Sequence, residues 1–248
     1  MINIAPDLRK WVCPHVDMIA RLTTIILFAS LWGGAIKVNA DKLEQRYALL
    51  NHLFAEPALK KKNLKNELEG IAQDNNNGFS ADYEETKIIT LLTKPLISSG
   101  QIWFLSSSEV IKVQSKPFVI YTKISNDTIV LLDDLGNKET ISVRRYGALK
   151  VFTSAFIGLF AGDIDKLNKY YTIHKKKESK IWRVGLKPKD KTIRGLLKGI
   201  IVSGSARSPD MVEIFHTSGD LTRLKITNRR SIDESEERKL ITNLRFEQ

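Results

Sequence analysis

The segment QIWFLSSSEVIKVQSKPFVIYTKISNDTIVLL, residues 101–132, alternates short runs of β-branched and aromatic residues with polar turns. Each run has the length of a strand, and successive runs begin about ten residues apart. Turn residues such as Ser125-Asn126-Asp127 separate the runs. The segment therefore predicts consecutive antiparallel strands of a sandwich or barrel, at residues 101–105, 110–114, 118–124 and 128–132.

Strand-like segments continue on both sides of this run. One precedes it at residues 88–92. Others follow at residues 171–175, 181–186, 199–203, 211–217 and 221–227. The last two flank Ser218-Gly219-Asp220, whose composition is typical of a hairpin turn.

Helical spacing is found before, within and after the strands. Four apolar residues near the N-terminus recur four, three and four positions apart and predict a helix that ends before Pro57: Leu43, Tyr47, Leu50 and Phe54. Residues 149–160 form an apolar helical pattern ended by Gly162, and a second short helix follows at 163–170. A capping-box pattern at 231–234 predicts a terminal helix. The fold class is therefore mainly β (α+β), with one mostly antiparallel domain that carries a helical insertion.

The N-terminal segment has the features of an export signal. Residues 22–36 carry no charge, Arg21 precedes them, and the small residues Val38-Asn39-Ala40 follow. We predict a signal peptide at 1–40, cleaved before Asp41, and a mature domain at 41–248. An uncharged run of this length falls short of the about 20 residues of a membrane-spanning helix. Lys37 in the cleavage region keeps a retained anchor open as the alternative, and a start at Met18 would still leave a complete signal.

Composition excludes several classes of protein. Of the 248 residues 42% are hydrophobic and 27% are charged, which is typical of a globular domain and not of disorder or collagen. A single cysteine excludes a disulfide framework and any multi-cysteine metal site. The net charge of +11 favours anionic partners, and export argues against nucleic acid as the partner.

The sequence offers few candidates for catalysis. It contains no G-x-S-x-G, P-loop or H-E-x-x-H motif, and its histidines are isolated. Asp163 and Asp165 form a D-x-D that could hold a metal, but acidic residues also stabilise a helix start there, and we favour that role. We predict no enzyme, no metal and no cofactor. An exported hydrolase stays an alternative that would need a nucleophile and a base.

Large apolar groups outnumber candidate catalytic residues. Phe152, Phe156 and Phe160 share one face of the predicted mid-chain helix beside half-apolar strands. A curved sheet covered by such a helix can enclose either an ordinary core or a ligand cavity. The pattern alone leaves both open.

Several blocks across the predicted mature chain resemble one known family. They are YEETK at 83–87, LLTKPLISSGQIWF at 91–104, KPF at 116–118, LFAGD at 159–163, WRVGLKPKD at 182–190 and GDLTR at 219–223. Their order and spacing resemble the LolA-like outer-membrane lipoprotein carriers, especially the divergent branch found beside lipid exporters of the RND type. The K-P-L-x-S-S-G block is the most specific of them.

The resemblance implies an incomplete antiparallel β-barrel of the LolA/LolB type, with a helical lid over an apolar cavity. It implies a periplasmic carrier in a Gram-negative cell. We further expect a monomer without a cofactor, although the sequence leaves the oligomeric state open. Such a carrier shields the acyl chains of a lipoprotein or lipid between an inner-membrane exporter, of RND or ABC type, and an outer-membrane acceptor. The alternative is a periplasmic sensor of the same fold that binds lipid and a regulatory protein.

Candidate cavity residues follow from the resemblance together with the patterns. They are Leu50, Phe54, Ile102, Phe104, Val119, Tyr121, Phe152, Phe156 and Leu159. If the strand register differs by one, Trp103 replaces Ile102 and Phe104. Classical carriers have a basic gate residue after the Trp-containing strand, where this sequence has Ser106–Ser108. Arg144 and Arg145 are candidates for a polar gate, and solvated strand-end charges are the alternative.

Overall fold

The computed structural model describes residues 40–72, 78–105, 109–160, 163–178, 180–205 and 208–243. The predicted signal peptide, except for its last residue, lies outside these ranges, as do Ser106–Ser108. Among the described helices, none is long and apolar enough to span a membrane.

In the described part of the chain, eleven antiparallel strands form a single sheet in the order β6-β5-β4-β3-β2-β1-β11-β10-β9-β8-β7. They are β1 (Phe79–Ile88), β2 (Leu96–Phe104), β3 (Val110–Lys116), β4 (Ile120–Ile124), β5 (Thr128–Asp133), β6 (Lys138–Ser142), β7 (Tyr171–Glu178), β8 (Ile181–Pro188), β9 (Leu197–Ser205), β10 (Ser208–His216) and β11 (Leu221–Ser231). Strands β6 and β7 are the two edges and do not pair with each other. The barrel is therefore open, as the fold prediction stated.

The helices lie before, between and after the strands. They are α1 (Ala40–Ala55), α2 (Lys61–Ala72), α3 (Gly147–Phe160), α4 (Ile164–Tyr170), α5 (Lys191–Arg194) and α6 (Glu234–Asn243). A short 3-10 helix, Val143–Arg145, precedes α3. The N-terminal helix ends before Pro57, and the mid-chain and terminal helices form as predicted, with α3 and α4 between the two edge strands.

Alternating side chains give the sheet two distinct faces. The inner face carries residues such as Tyr83, Val184 and Leu224, which form one buried cluster with residues of α2, α3, α4 and α5. The outer face packs against two other helices. Helix α1 covers residues of β9–β11 such as Phe215, and α6 covers residues of β2–β5 such as Ile111.

Two glycines let α1 approach the outer face closely. A Cβ atom at Gly199 would lie 2.4 Å from Cζ of Phe54, and one at Gly185 would lie 2.9 Å from Cδ2 of Leu53. Since real Cβ atoms do not come so close to a neighbour, a larger residue would push the Phe54 or Leu53 side chain aside. The two glycines thus allow the end of α1 to pack closely against β8 and β9.

The first predicted strand is wrong in its bounds, and one strand was missed. We expected a strand at 88–92, whereas β1 spans Phe79–Ile88 and residues 89–95 connect it to β2. Charged residues interrupt the apolar pattern of β1, although Glu85 and Lys87 are buried. Strand β6 (Lys138–Ser142) is polar because it is an exposed edge strand.

Candidate functional site

An aromatic stack joins the inner face of the sheet to the covering helix. The rings of Phe79 and Phe104 stack with centroids 4.5 Å apart, and Phe104 stacks on Phe160 of α3 with centroids 4.0 Å apart. All three side chains are buried. Stacked aromatic pairs add to the free energy that area burial alone supplies. The stack therefore anchors the end of α3 to the sheet.

The covering segment is the connection between the two edge strands. Residues 143–170, which we call the lid, include the 3-10 helix, α3 and α4, and they lead from β6 to β7. Among its described residues, none belongs to a strand of the sheet. At its two ends, the Val143 amide donates to the Asp127 carbonyl, and the Tyr170 carbonyl accepts from the Lys189 amide. Movement of α3 between these two ends would therefore leave the strand pairing intact.

Polar contacts fix the lid at its two ends. Arg144 donates to both carboxylate oxygens of Asp127, over 2.6 and 2.8 Å, and Lys166 of α4 donates to the side chain of Asn126. Both acceptors belong to the turn between β4 and β5. Directly after the lid, the buried hydroxyl of Tyr171 in β7 donates to the Val151 carbonyl of α3 over 2.8 Å. Burial raises the pKa of Tyr171 well above its usual range, so this hydroxyl keeps its proton.

A network of charged groups lies on the inner face, further along β1. Glu85 accepts from Lys112 of β3 and lies 3.3 Å from Nζ of Lys87. The Lys112 ammonium is also 4.7 Å from the ring centroid of Tyr83. Side chains of Glu85 and Lys87 are only 8% and 11% exposed, so these charges are held in the interior. We call Glu85, Lys87 and Lys112 the charged network.

Small residues in β2 make room for this network. Ser98 lies opposite Glu85, and Gly100 lies opposite Tyr83, so β2 offers little bulk between β1 and β3. A Cβ atom at Gly100 would lie 2.0 Å from the Val113 carbonyl oxygen, at a register shift between β2 and β3. The S-S-G part of the most specific motif is thereby explained by the close approach of three strands.

The surroundings of these groups shift their pKa values. Burial acts to raise the pKa of Glu85, but Lys112 and Lys87 outweigh it and lower the pKa to about 2. Burial lowers the pKa of Lys87 to about 8, although Glu85 opposes this shift. Burial and the neighbouring Glu85 also raise the pKa of Tyr83. At neutral pH the carboxylate is therefore ionised, Lys87 is mostly protonated and Tyr83 is neutral.

The structure separates the predicted cavity residues. Ile102 and Phe104 lie on the inner face in the cluster that includes Phe160, and Trp103 faces the other way. Leu50 and Phe54 instead belong to the outer-face cluster beneath α1. The apolar stripe of α1 packs on the opposite side of the sheet from Ile102, so these two candidates do not contact the inner-face cluster.

The remaining candidates fall into three groups. Tyr121 packs on the outer face against the cluster that includes Ile111. Val119 lies in the turn before β4 and is half-buried. The candidates on α3 have side chains outside the described part of the structure: Phe152, Phe156 and Leu159.

The predicted polar gate residues lie at the start of the lid. Arg144 pairs with Asp127, and this hydrogen bond lowers the pKa of the carboxyl group. Arg145, in the same 3-10 helix, is exposed. Asp163, whose role was weighed against a metal site, caps α4 by accepting from the Lys166 amide over 2.9 Å. Among the described residues, no group of acidic, histidine or cysteine side chains could hold a metal ion.

A cleft of about 320 Å³ lies between α2 and α4. Its lining residues are Lys61, Leu64, Lys65, Asp163, Ile164 and Asp165. None of the predicted cavity residues whose side chains the structure describes is among them. On the inner face itself, the aromatic stack fills the space beneath the end of α3, so the lid is closed over that part of the sheet.

Sequence reasoning missed the charged network. Alternating residues of β1 share the inner face, so Glu85 and Lys87 lie on the same side of the strand as Tyr83. Adjacent residues on a strand point to opposite faces, and Glu84 is accordingly exposed whereas Glu85 is buried. Nothing in the sequence identified Lys112 as the partner of Glu85, since the two residues come together only because β2 places β3 beside β1 in the sheet.

Comparisons with known proteins identify one family. The family model of the outer membrane lipoprotein carrier protein LolA-like family matches residues 68–233, which is more than half of the chain. No curated protein matches the chain in sequence.

Solved structures are similar at low sequence identity. A LolA superfamily protein from Nitrosomonas europaea is 9% identical with a TM-score of 0.40, and the match covers 73% of this chain and 97% of that one. LprF from Mycobacterium bovis is 9% identical with a TM-score of 0.34, covering 70% and 95%. In the Pseudomonas aeruginosa MucA/MucB complex, the matched chain is 14% identical with a TM-score of 0.41, covering 70% and 60%. On the match of the family model over residues 68–233, the chain belongs to the LolA-like outer membrane lipoprotein carrier family.

Proposed function

We propose that this protein is a periplasmic carrier that shields the acyl chains of a lipoprotein or lipid between an inner-membrane exporter and the outer membrane. The observation that carries the proposal is the arrangement of the lid. An apolar inner face is covered by an apolar helix, α3, that connects the two unpaired edges of an open barrel. Such a cover can move while the sheet stays intact.

The energetics of acyl chains explain why a covered apolar face suits this role. Each methylene group exposed to water costs about 0.8 kcal/mol, so a sixteen-carbon chain costs on the order of 10 kcal/mol. An apolar surface offsets this cost without directional hydrogen bonds. Since the sequence has no nucleotide-binding motif, we expect loading and release to follow from lid opening and from the relative affinities of carrier and acceptor.

The closed lid indicates how cargo would enter. Phe160 fills the space above Phe104 and Phe79. An acyl chain that displaced Phe160 would replace one apolar contact with another, so opening costs less in the presence of cargo than in its absence. We therefore expect the cargo space to form as the lid moves, with Ile102 and Phe104 as part of its floor.

A matched pair of leucines tests the proposal. Leu131 of β5 lies on the inner face. It is the cross-strand partner of Thr122, which pairs with Lys112, and Lys112 in turn pairs with the inner-face residue Ile102. The neighbour of Leu131 in the sequence, Leu132, is on the outer face. Both are half-buried. We expect L131Q to weaken uptake of a fluorescent fatty acid about tenfold, whereas L132Q retains it.

Native mass spectrometry completes the test. Protein purified from a Gram-negative host should carry bound lipid, and crosslinking in cells should retrieve an inner-membrane exporter. Protein that is always empty and takes up no fatty acid would refute the carrier function. Retrieval of a membrane-bound regulator instead of an exporter would favour the sensor alternative.

A further inference from the structure

The charged network and the aromatic stack occupy different parts of one surface. Phe79 and Glu85 both face inward on β1, six positions apart, which corresponds to about 20 Å along a strand. Between them lie Ala81 and Tyr83, which are also buried. The inner face therefore has an apolar stretch that ends at a group of charges. Such a surface is complementary to an amphiphile with an apolar tail and a charged head group.

The charges of the network do not cancel. Lys87 and Lys112 share the carboxylate of Glu85, so two ammonium groups face one negative charge and the sum is +1. The covering helix adds no negative charge, because the sequence Gly147–Phe160 contains no aspartate or glutamate. Burial and Lys87 lower the pKa of nearby His216, although Asp220 opposes them, so His216 is mostly neutral at pH 7. Neither α3 nor His216 therefore offsets the excess positive charge of these three side chains.

A purely structural ion pair would need only one lysine. Keeping a second ammonium group away from water costs several kcal/mol unless an anion offsets the charge. The lowered pKa of Lys87 reflects this cost. Lys112 is 21% exposed at its side chain, so a ligand can reach the charged network from solvent.

We infer that Lys87 and Lys112 bind the anionic phosphate group of a lipid whose acyl chains lie along the apolar stretch toward Phe79. The inference rests on the proposed carrier function and adds a preference for the head group. Lysine binds phosphate as a point charge, without the planar geometry that arginine imposes. Glu85 holds the two ammonium groups close together, and the phosphate supplies the missing negative charge.

The experiment compares two lipids with the same acyl chains. Dioleoyl phosphatidic acid carries the phosphate and dioleoylglycerol lacks it, and inorganic phosphate serves as the third probe. Binding is measured for the wild-type chain and for K87M, K112M and the control K116M. Lys116 lies on β3 with Lys112 but is exposed. Each inner variant leaves Glu85 paired with the other lysine, and circular dichroism verifies that it folds.

We expect the wild-type protein and K116M to prefer phosphatidic acid by about tenfold or more, as expected for hydrogen bonds to a charged group. K87M and K112M should lose this preference while they still bind dioleoylglycerol. Equal binding of the two lipids, unchanged in K87M and K112M, would overturn the inference and leave the carrier function intact. Failure to bind either lipid would refute the carrier function itself. Lysine-dependent binding of inorganic phosphate without lipid binding would overturn the assignment to a lipid head group.

Discussion

The ring of Phe104 in β2 stacks on the ring of Phe160 at the end of α3, with 28° between their planes. One ring belongs to the sheet and the other to the lid. Their contact is therefore a direct measure of whether the lid is closed. It also joins two residues that are 56 positions apart in the sequence (160 − 104).

Removal of the lid ring should loosen the lid. We expect F160A to lower the free energy of unfolding by about 3 to 5 kcal/mol, because a buried aromatic side chain leaves a cavity. Exchange of a bound fluorescent fatty acid should become faster, since the lid loses its contact with Phe104. Denaturant unfolding and stopped-flow fluorescence measure the two effects.

Phe118 supplies the control for F160A. It lies in the turn between β3 and β4 and is 41% exposed. F118A should change stability by less than about 1 kcal/mol. If F118A accelerated exchange as much as F160A does, the effect would not arise from the lid.

The pair of Arg144 and Asp127 holds the other end of the lid. D127N removes the carboxylate that accepts both hydrogen bonds from Arg144. Both side chains are exposed, so we expect little change in the melting temperature. Hydrogen exchange of the α3 amides should nevertheless be faster than in the wild-type chain. The control is D134N, in the next turn along the sheet edge. Equal protection of the α3 amides from hydrogen exchange in D127N and D134N would contradict the role of the Arg144–Asp127 pair in holding the lid.

Most of the strands could be predicted because their apolar residues and turns are local signals. β1 could not be placed correctly because Glu85 and Lys87 are polar in sequence yet buried in the structure. Their burial depends on Lys112, which reaches Glu85 only when β2 lies between β1 and β3. A local pattern contains no information about such a partner.

The division of residues between the two faces was also beyond the sequence. The stripe of α1 containing Leu50 and Phe54 predicts a buried side of a helix, but it does not specify which face of the sheet the helix covers. Gly185 and Gly199 leave space on the outer face for the Leu53 and Phe54 side chains at the end of α1. The two glycines lie in β8 and β9, and they form one surface only because these strands are adjacent in the sheet.

The stability of the protein should depend on Glu85 at acid pH. The pKa of Glu85 in the folded protein is about 2, below its ordinary value of 4.5. As the pH falls from about 4.5 toward 2, the unfolded chain therefore binds a proton before the folded chain does, and stability decreases. E85Q removes this contribution, so its free energy of unfolding should vary less over that range.

Absolute stability does not test this prediction, because E85Q also leaves the two lysines without their carboxylate and should be less stable at neutral pH. The test is the slope of unfolding free energy against pH from 4.5 to 2. E84Q changes the adjacent, exposed carboxylate and should keep the wild-type slope. Equal slopes for E85Q and the wild-type chain would contradict the assigned role of Glu85.

Two glycine substitutions separate lack of space from backbone strain. G100A places a Cβ 2.0 Å from the Val113 carbonyl oxygen, and this backbone atom cannot rotate away. Strands β2 and β3 would have to separate, which should lower the free energy of unfolding by about 3 kcal/mol. Gly136 has φ of +85° and no neighbour within 4 Å, so G136A introduces backbone strain alone and should lower the free energy of unfolding by about 1 kcal/mol.

Because Lys112 lies on β3, G100A should also weaken the preference for phosphatidic acid, whereas G136A should preserve it. A G100A protein as stable as G136A, with an unchanged lipid preference, would show that the close approach of β2 and β3 is not required to assemble the charged network.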